Sequence, residues 1–161
     1  SQLARRNAIN GKKFRTRVFR WLEQNTTLSL IPHEVKISTN GAFKTDRNYG
    51  DIDILAIDDS SKTLILFEIK NTKQAKVIYE FKRDIESYLS KLIPKHLERA
   101  KWIETNLESL SAHIKRDVTD YKVFSAIISS STLPVKYMEN SPLPIYSFSE
   151  LKANGIEILS L

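Results

Sequence analysis

Cysteine is absent from all 161 residues, which rules out a disulfide framework, a thiolate zinc site and thiol redox chemistry, and sets the expectation of a reducing, cytoplasmic setting. Glycine and proline are scarce, at 4 and 5 residues beside 27% charged residues, so neither a fibrous repeat nor a disordered low-complexity chain fits. Long apolar runs are missing too. Stretches such as Thr63–Phe67 are far too short to span a bilayer, and the N-terminus has no apolar signal core, so no membrane partner is expected. No glycine-rich phosphate loop occurs, which removes P-loop ATPases and Rossmann dehydrogenases from consideration. His33, His96 and His113 stand at no metal-ligand spacing and are expected at the surface or in packing rather than on zinc.

A 41% hydrophobic content at this length is enough for one domain with a continuous core. The chain opens on Ser1 rather than Met, which raises the expectation of a piece of a longer protein with neighbouring domains. Its formal charge of +6 is uneven: Arg5, Arg6, Lys12, Lys13, Arg15, Arg17 and Arg20 all precede the first acidic residue, Glu23. Such a stretch either neutralises nucleic-acid phosphates or forms a solvated helix face. Lys12, Lys13, Arg15, Arg17 and Arg20 are the candidate phosphate contacts.

Phe14, Val18, Trp21 and Leu22 recur at helical spacing and predict an amphipathic first helix over Lys12–Gln24. Leu28–Ser38, ending at the Asn40-Gly41 turn signal, reads as a first strand. Asp51–Ile57 and Thr63–Lys70 form a hairpin across the polar Asp58–Lys62 connection, where Asp58 and Asp59 are turn formers. Ile78, Phe81, Ile85, Tyr88, Leu89 and Leu92 then mark a helix face, interrupted at Pro94 and resumed through Leu97, Ala100, Ile103, Leu107 and Leu110, which predicts a kinked helix or two consecutive ones. Strands over Val123–Ile128 and Pro144–Phe148 and a short helix near Ser149–Ala153 complete the order. The fold class expected is an α/β single domain, a mixed sheet with helices on both faces. Tyr79, Lys82, Arg83, Lys91 and Lys95 mix with Glu80, Asp84 and Glu86, which favours a self-neutralising surface over a phosphate-contacting one. Trp21 and Trp102 are expected as core anchors.

Alternation along Gly50–Ile57 puts Asp51 and Asp53 on the side of Leu55 and Ile57, with Ile52 and Ile54 opposite; in Leu64–Lys70 it puts Glu68 and Lys70 together. Pairing through the Asp58–Lys62 turn brings Asp53 near the Glu68 and Lys70 end of its partner. Carboxylates supply the oxygen ligands Mg²⁺ prefers, Mn²⁺ substituting, and a lysine beside them suits orienting or deprotonating a water or neutralising a phosphate.

Gly50-Asp51-Ile52-Asp53, an apolar strand, and Phe67-Glu68-Ile69-Lys70-Asn71 together resemble the core motif of the PD-(D/E)xK nucleases, and more closely the nuclease-related (NERD) and Mrr-like branches. The resemblance spans about Gly11–Ser131 by element order and Gly50–Asn71 by motif. It implies a three-layer restriction-endonuclease-like core and a Mg²⁺-dependent endonuclease hydrolysing DNA. In that pattern Asp53, Glu68 and Lys70 are catalytic and the backbone carbonyl of Ile69 joins Asp53 and Glu68 on the metal, with Asp51 and Asn71 as auxiliary residues. Relatives often carry a first-helix glutamate in G-x-x-F-E, where this chain has Gly11-Lys12-Lys13-Phe14-Arg15. Glu23 or Glu34 is the candidate replacement, and a missing third acid implies a one-metal site or an inactive, binding-only relative. An RNA-processing nuclease is the other alternative, and a homodimer is a possible assembly.

Overall fold

The computed structural model describes residues 1–40, 43, 45–72, 78–131 and 141–161, apart from the side chains of residues 78–81, 84, 85 and 88. Helix α1 runs over Gln2–Asn25, ten residues earlier than the apolar periodicity predicts. Ser1 caps it, its Oγ accepting from the Ala4 amide at 3.3 Å. The early turns escape pattern recognition because they cover no core: Leu3 and Ile9 are 62% and 53% exposed. Phe14, Val18 and Leu22 are the buried stripe.

The expected first strand divides into β1 (Ser29–Leu30) and β2 (Val35–Ile37). Pro32 lies between them, lacking the amide a continuous ladder needs. The first arm of the hairpin divides as well, into β3 (Gly50–Ile52) and β4 (Ile54–Asp58), with Asp53 as the bend. β3 pairs with β2 as a separate two-stranded sheet, while β4 pairs with β1 and with β5 (Thr63–Lys70). The β4–β5 register runs from Ile54 opposite Phe67 to Asp58 opposite Thr63. Its turn is held by Asp58, which accepts from the Ser60 amide and hydroxyl and from the Ser61 hydroxyl, and by Lys62 at φ 51°. Of the Asn40-Gly41 turn, Gly41 lies outside the described residues.

After β5 come α2 (Ile78–Lys91), α3 (Ile93–Thr105) and α4 (Leu107–Ile114). Pro94 stands in the first turn of α3, where its missing amide costs nothing. Asn106, at φ −129° and ψ 34°, makes a second break that the apolar spacing did not signal. The chain returns as β6 (Lys122–Ser129), parallel to β5, then β7 (Ile145–Ser147), parallel to β6. A capping box of Ser147 and Glu150 starts α5 (Phe148–Asn154).

The five-stranded sheet is mixed, in the order β1-β4-β5-β6-β7, and both faces are covered. Ile54, Ala56, Ile65, Phe67, Ala126 and Ile128 pack under α1 and α5 with Phe14, Val18, Leu22 and Leu151. Leu55, Ile57, Leu64 and Leu66 pack on the other face with Trp102, Ile103 and Leu110 of α3 and α4. Trp102 is buried as expected; Trp21 is half-buried, edge-on to Phe148 at 6.3 Å. No described helix is long and apolar enough to cross a membrane.

Candidate functional site

The bend at Asp53 organises the site. Simple alternation would group Ile52 with Ile54, but Ile52 packs with Leu55 and Ile57 on the α3 face. The irregular residue between the two strands resets the alternation. Asp53 is therefore turned against β5, where its Oδ2 accepts a hydrogen bond from the Ile69 amide at 2.8 Å. Gly50 makes the approach possible: its φ is +84°, and an added Cβ would lie 3.2 Å from Arg99 Nη1 and from Lys95 Cε.

Asp53 and Glu68 come together as a buried acid pair. Burial, and next the charge of Asp53, push the Glu68 carboxyl up to about 8, against the opposing pull of Arg99. Burial also raises Asp53, outweighing the Ile69 hydrogen bond. Two carboxyls so placed cannot both ionise readily, and the pair retains a proton near neutrality. Their donor set is all oxygen, the chemistry that suits Mg²⁺ or Mn²⁺ and that a divalent cation would stabilise in place of the proton. Among the described residues no group of three or more His, Cys, Asp or Glu side chains gathers into a metal cage. Asp53 and Glu68 are thus the side-chain ligands available.

Two residues of α3 complete the surroundings of Glu68, and sequence reasoning missed both. Arg99, 5% exposed, donates from Nη2 to Glu68 Oε2 at 3.1 Å and from Nη1 to the Asp51 carbonyl. It also contacts His96 Nδ1 at 2.7 Å. Because a guanidinium only donates, Nδ1 is the acceptor and the imidazole proton is assigned to Nε2, which lies 3.6 Å from Glu68 Oε1. Burial, then the Arg99 charge, lower His96 to about 4, so it is neutral here. It is a packing residue, as its spacing suggested, but packed at the acid pair. The available signal was an i, i+3 His–Arg pair on the apolar side of a helix.

On the opposite side Arg15 stands where the resemblance called for a glutamate. Its Nε donates to the Asp53 carbonyl at 2.6 Å, and the guanidinium lies 5.6 Å from the Phe19 ring centre. Arg15, Gly11, Lys12, Glu34, Asp53 and Ile69 line a cleft of about 210 Å³. Of the two replacement acids, Glu34 is in this cleft, 3.9 Å from Arg15 Nε, whereas Glu23 is exposed and does not line it. α1 carries seven of the 25 basic residues and one of the 19 acidic ones, so it alone accounts for the net charge of +6. Lys13, Arg17 and Arg20 are on its exposed surface, with Arg17 over the Phe14 ring at 5.4 Å.

Asp51 enters through its backbone carbonyl. It sits opposite exposed Lys36 in the β2–β3 ladder, on the face away from Ile52, Val35 and Ile37. Lys70 follows Glu68 on the same side of β5, half-buried and opposite Ser129. Asn71 is half-buried just past the strand. On α2, Lys82 and Glu86 lie 3.9 Å apart; the side chains of Tyr79, Glu80 and Asp84 lie outside the described residues. Compared with known proteins, the chain matches no family model, no curated protein and no solved structure.

Proposed function

We propose that this α/β domain is a restriction-endonuclease-like nuclease of the PD-(D/E)xK type that hydrolyses DNA phosphodiester bonds with Mg²⁺. The observation that carries the reading is the buried Asp53–Glu68 pair, which retains a proton near neutrality. A stable fold gains nothing from two carboxyls desolvated side by side, and such costs concentrate at functional sites. Asp53 and Glu68 would hold the metal with the Ile69 carbonyl, and the bound cation supplies Lewis-acid stabilisation of the phosphoryl oxygens and a more acidic water.

The chain's own residues set the stage for that chemistry. Arg99 fixes one oxygen of Glu68, and the Ile69 amide fixes one of Asp53, so both carboxylates are oriented beforehand. Neutral His96 excludes water from the back of Glu68 without adding charge. Lys70 orients or deprotonates the attacking water, or neutralises the phosphate as water adds and the leaving oxygen departs.

Arg15 in place of a first-helix glutamate favours a second reading, an inactive nuclease fold kept for binding nucleic acid. The deciding experiment incubates the protein, and an Asp53→Ala control, with plasmid, linear and single-stranded DNA and with RNA, with and without Mg²⁺ or Mn²⁺. Metal-dependent cutting of DNA lost in the control supports the proposal. Cutting of RNA alone would move the assignment to RNA processing, and no cutting of any substrate would leave the binding module as the better reading.

A further inference from the structure

The two arginines flanking the acid pair differ in one respect. Arg99 directs its terminal nitrogens at the Asp51 carbonyl, Glu68 and His96, and is 5% exposed. Arg15 has an 18% exposed side chain, yet among the described residues Nε is its only nitrogen that meets a hydrogen-bond acceptor, and its Nη2 is buried without one. Glu34 stops at 3.9 Å from Nε, beyond hydrogen-bond distance. A guanidinium pinned by the Asp53 carbonyl at one end and the Phe19 ring on its face, with its terminal fork unmatched, is the arrangement that receives a bidentate oxyanion. The surroundings have the room: the cleft holds about 210 Å³, and a Cβ added at Gly11 would meet nothing within 4 Å. Lys12 lines the same cleft, on the helix that carries the chain's whole net charge.

We infer that the α1–β5 cleft is a phosphate subsite, in which Arg15 and Lys12 hold a backbone phosphodiester of a nucleic acid beside Asp53. The ligand's identity as nucleic acid rests on the nuclease reading; the anion site rests on Arg15 itself. Arg15 then does with a fixed charge, on the substrate, what a first-helix carboxylate would do through a metal. Glu34 is the rival partner, an internal lid whose carboxylate competes for the guanidinium.

The test is binding of a fluorescein-labelled 16-base-pair DNA duplex in EDTA, where nothing is cut, followed by anisotropy across a salt series. Arg15→Gln should weaken binding about tenfold and lower the slope of log K against log salt by about 1, and Lys12→Gln should lower it similarly. Arg15→Lys should keep the slope but lose part of the affinity, since a point charge replaces a fork. Arg6→Gln, at an exposed position that does not line the cleft, should cost less than either. Glu34→Gln should tighten binding. Melting curves identify any variant that is merely unfolded, and Lys12→Gln, exposed on the helix surface, decides the matter if Arg15→Gln is. Parent-like affinity and slope in Lys12→Gln and in folded Arg15 variants would overturn the subsite. So would Glu34→Gln destabilising the fold without changing affinity, which would make Glu34 the true partner. An Arg15-dependent melting shift with inorganic phosphate, and no Arg15 effect on DNA, would overturn the nucleic-acid assignment. Cleavage of DNA is scored separately, so an active enzyme without the subsite and a subsite without an active enzyme are distinguishable results.

Discussion

The Ile69 amide donates to Asp53 Oδ2 across the β4–β5 hairpin at 2.8 Å, so the backbone of one strand aims the carboxylate of the other. Asp53→Asn keeps an oxygen acceptor for that amide while removing the charge. Glu68→Gln likewise keeps an acceptor for Arg99. Both variants are expected to stay folded, with melting temperatures at pH 7.5 near or above the parent's, and to lose metal-dependent cleavage by at least about a hundredfold. Cleavage at the parental rate in either variant, after purification from contaminating nucleases, would remove these carboxyls from the proposed mechanism.

Stability should fall as pH rises above neutrality in metal-free buffer. Glu68 is raised from 4.5 to about 8, so the folded state binds its proton more tightly than the unfolded state does. That contribution is present below about pH 4.5 and is lost as pH rises through about 8. His96 has the opposite sign: lowered from 6.5 to about 4, it favours the folded state above pH 6.5 and loses that contribution as pH falls through about 4. The two oppose one another up to pH 6.5, and beyond it only the acid pair titrates. Metal-free melting temperature is therefore expected to drop between pH 6.5 and 8.5, a loss on the order of a few kcal/mol. Glu68→Gln should flatten the drop. A parent profile as flat as that of the variant would show that the pair is not desolvated as described.

Gly50 and Arg99 should be sensitive for reasons of packing rather than chemistry. Gly50→Ala places a Cβ at φ +84°, 3.2 Å from Arg99 Nη1, and is expected to cost about 1–3 kcal/mol. Arg99→Met leaves Glu68 and the Asp51 carbonyl without their donor, and removal of one partner from a buried pair costs about 3–5 kcal/mol. Because Glu68 is then the uncompensated group, Arg99→Met combined with Glu68→Gln should lose less than the sum of the single variants in urea unfolding. Simple additivity would mean that Arg99 acts on the backbone alone.

The order of elements was legible in the sequence because β5, β6 and the helix faces obey simple periodicities. The breaks were legible only where a residue forced them. Pro94 announced the start of α3, whereas Pro32 lay inside an otherwise convincing strand and its effect was overlooked. The bend at Asp53 has no local signal: Gly50-Asp51-Ile52-Asp53-Ile54 alternates as a continuous strand would, and it breaks because β3 joins β2 while β4 joins β1 and β5. Asp53 and Glu68 could be paired in advance, since a hairpin register counts residues from its turn. Arg99 and His96 could not, because α3 reaches β5 only through tertiary packing across more than twenty residues of intervening chain. Arg15 was visible as a departure from a family pattern and as one of several cations, but its anchoring to the Asp53 carbonyl depends on how α1 crosses the sheet.

Metal binding and chemistry are separable through Lys70. A ligand that binds only the folded state stabilises it by RT ln(1 + [L]/Kd). With a Kd of about 1 mM, a value assumed for a two-carboxylate site, 10 mM Mn²⁺ contributes roughly 1.4 kcal/mol and raises the melting temperature of a domain this size by roughly 3 to 6 °C. The rise should be larger at pH 8 than at pH 6.5, since the cation must displace the proton held by the acid pair. Asp53→Ala should abolish it by deleting a ligand. Lys70→Met should preserve or enlarge it, because a positive neighbour of the cation is removed, while cleavage is lost for want of the group that activates water or stabilises the phosphorane. Parental cleavage by Lys70→Met would make the lysine structural and sink the mechanism. If the parent shows no rise at either pH, even with DNA present, the Asp53–Glu68 pair is not a metal site and the binding-module reading takes its place.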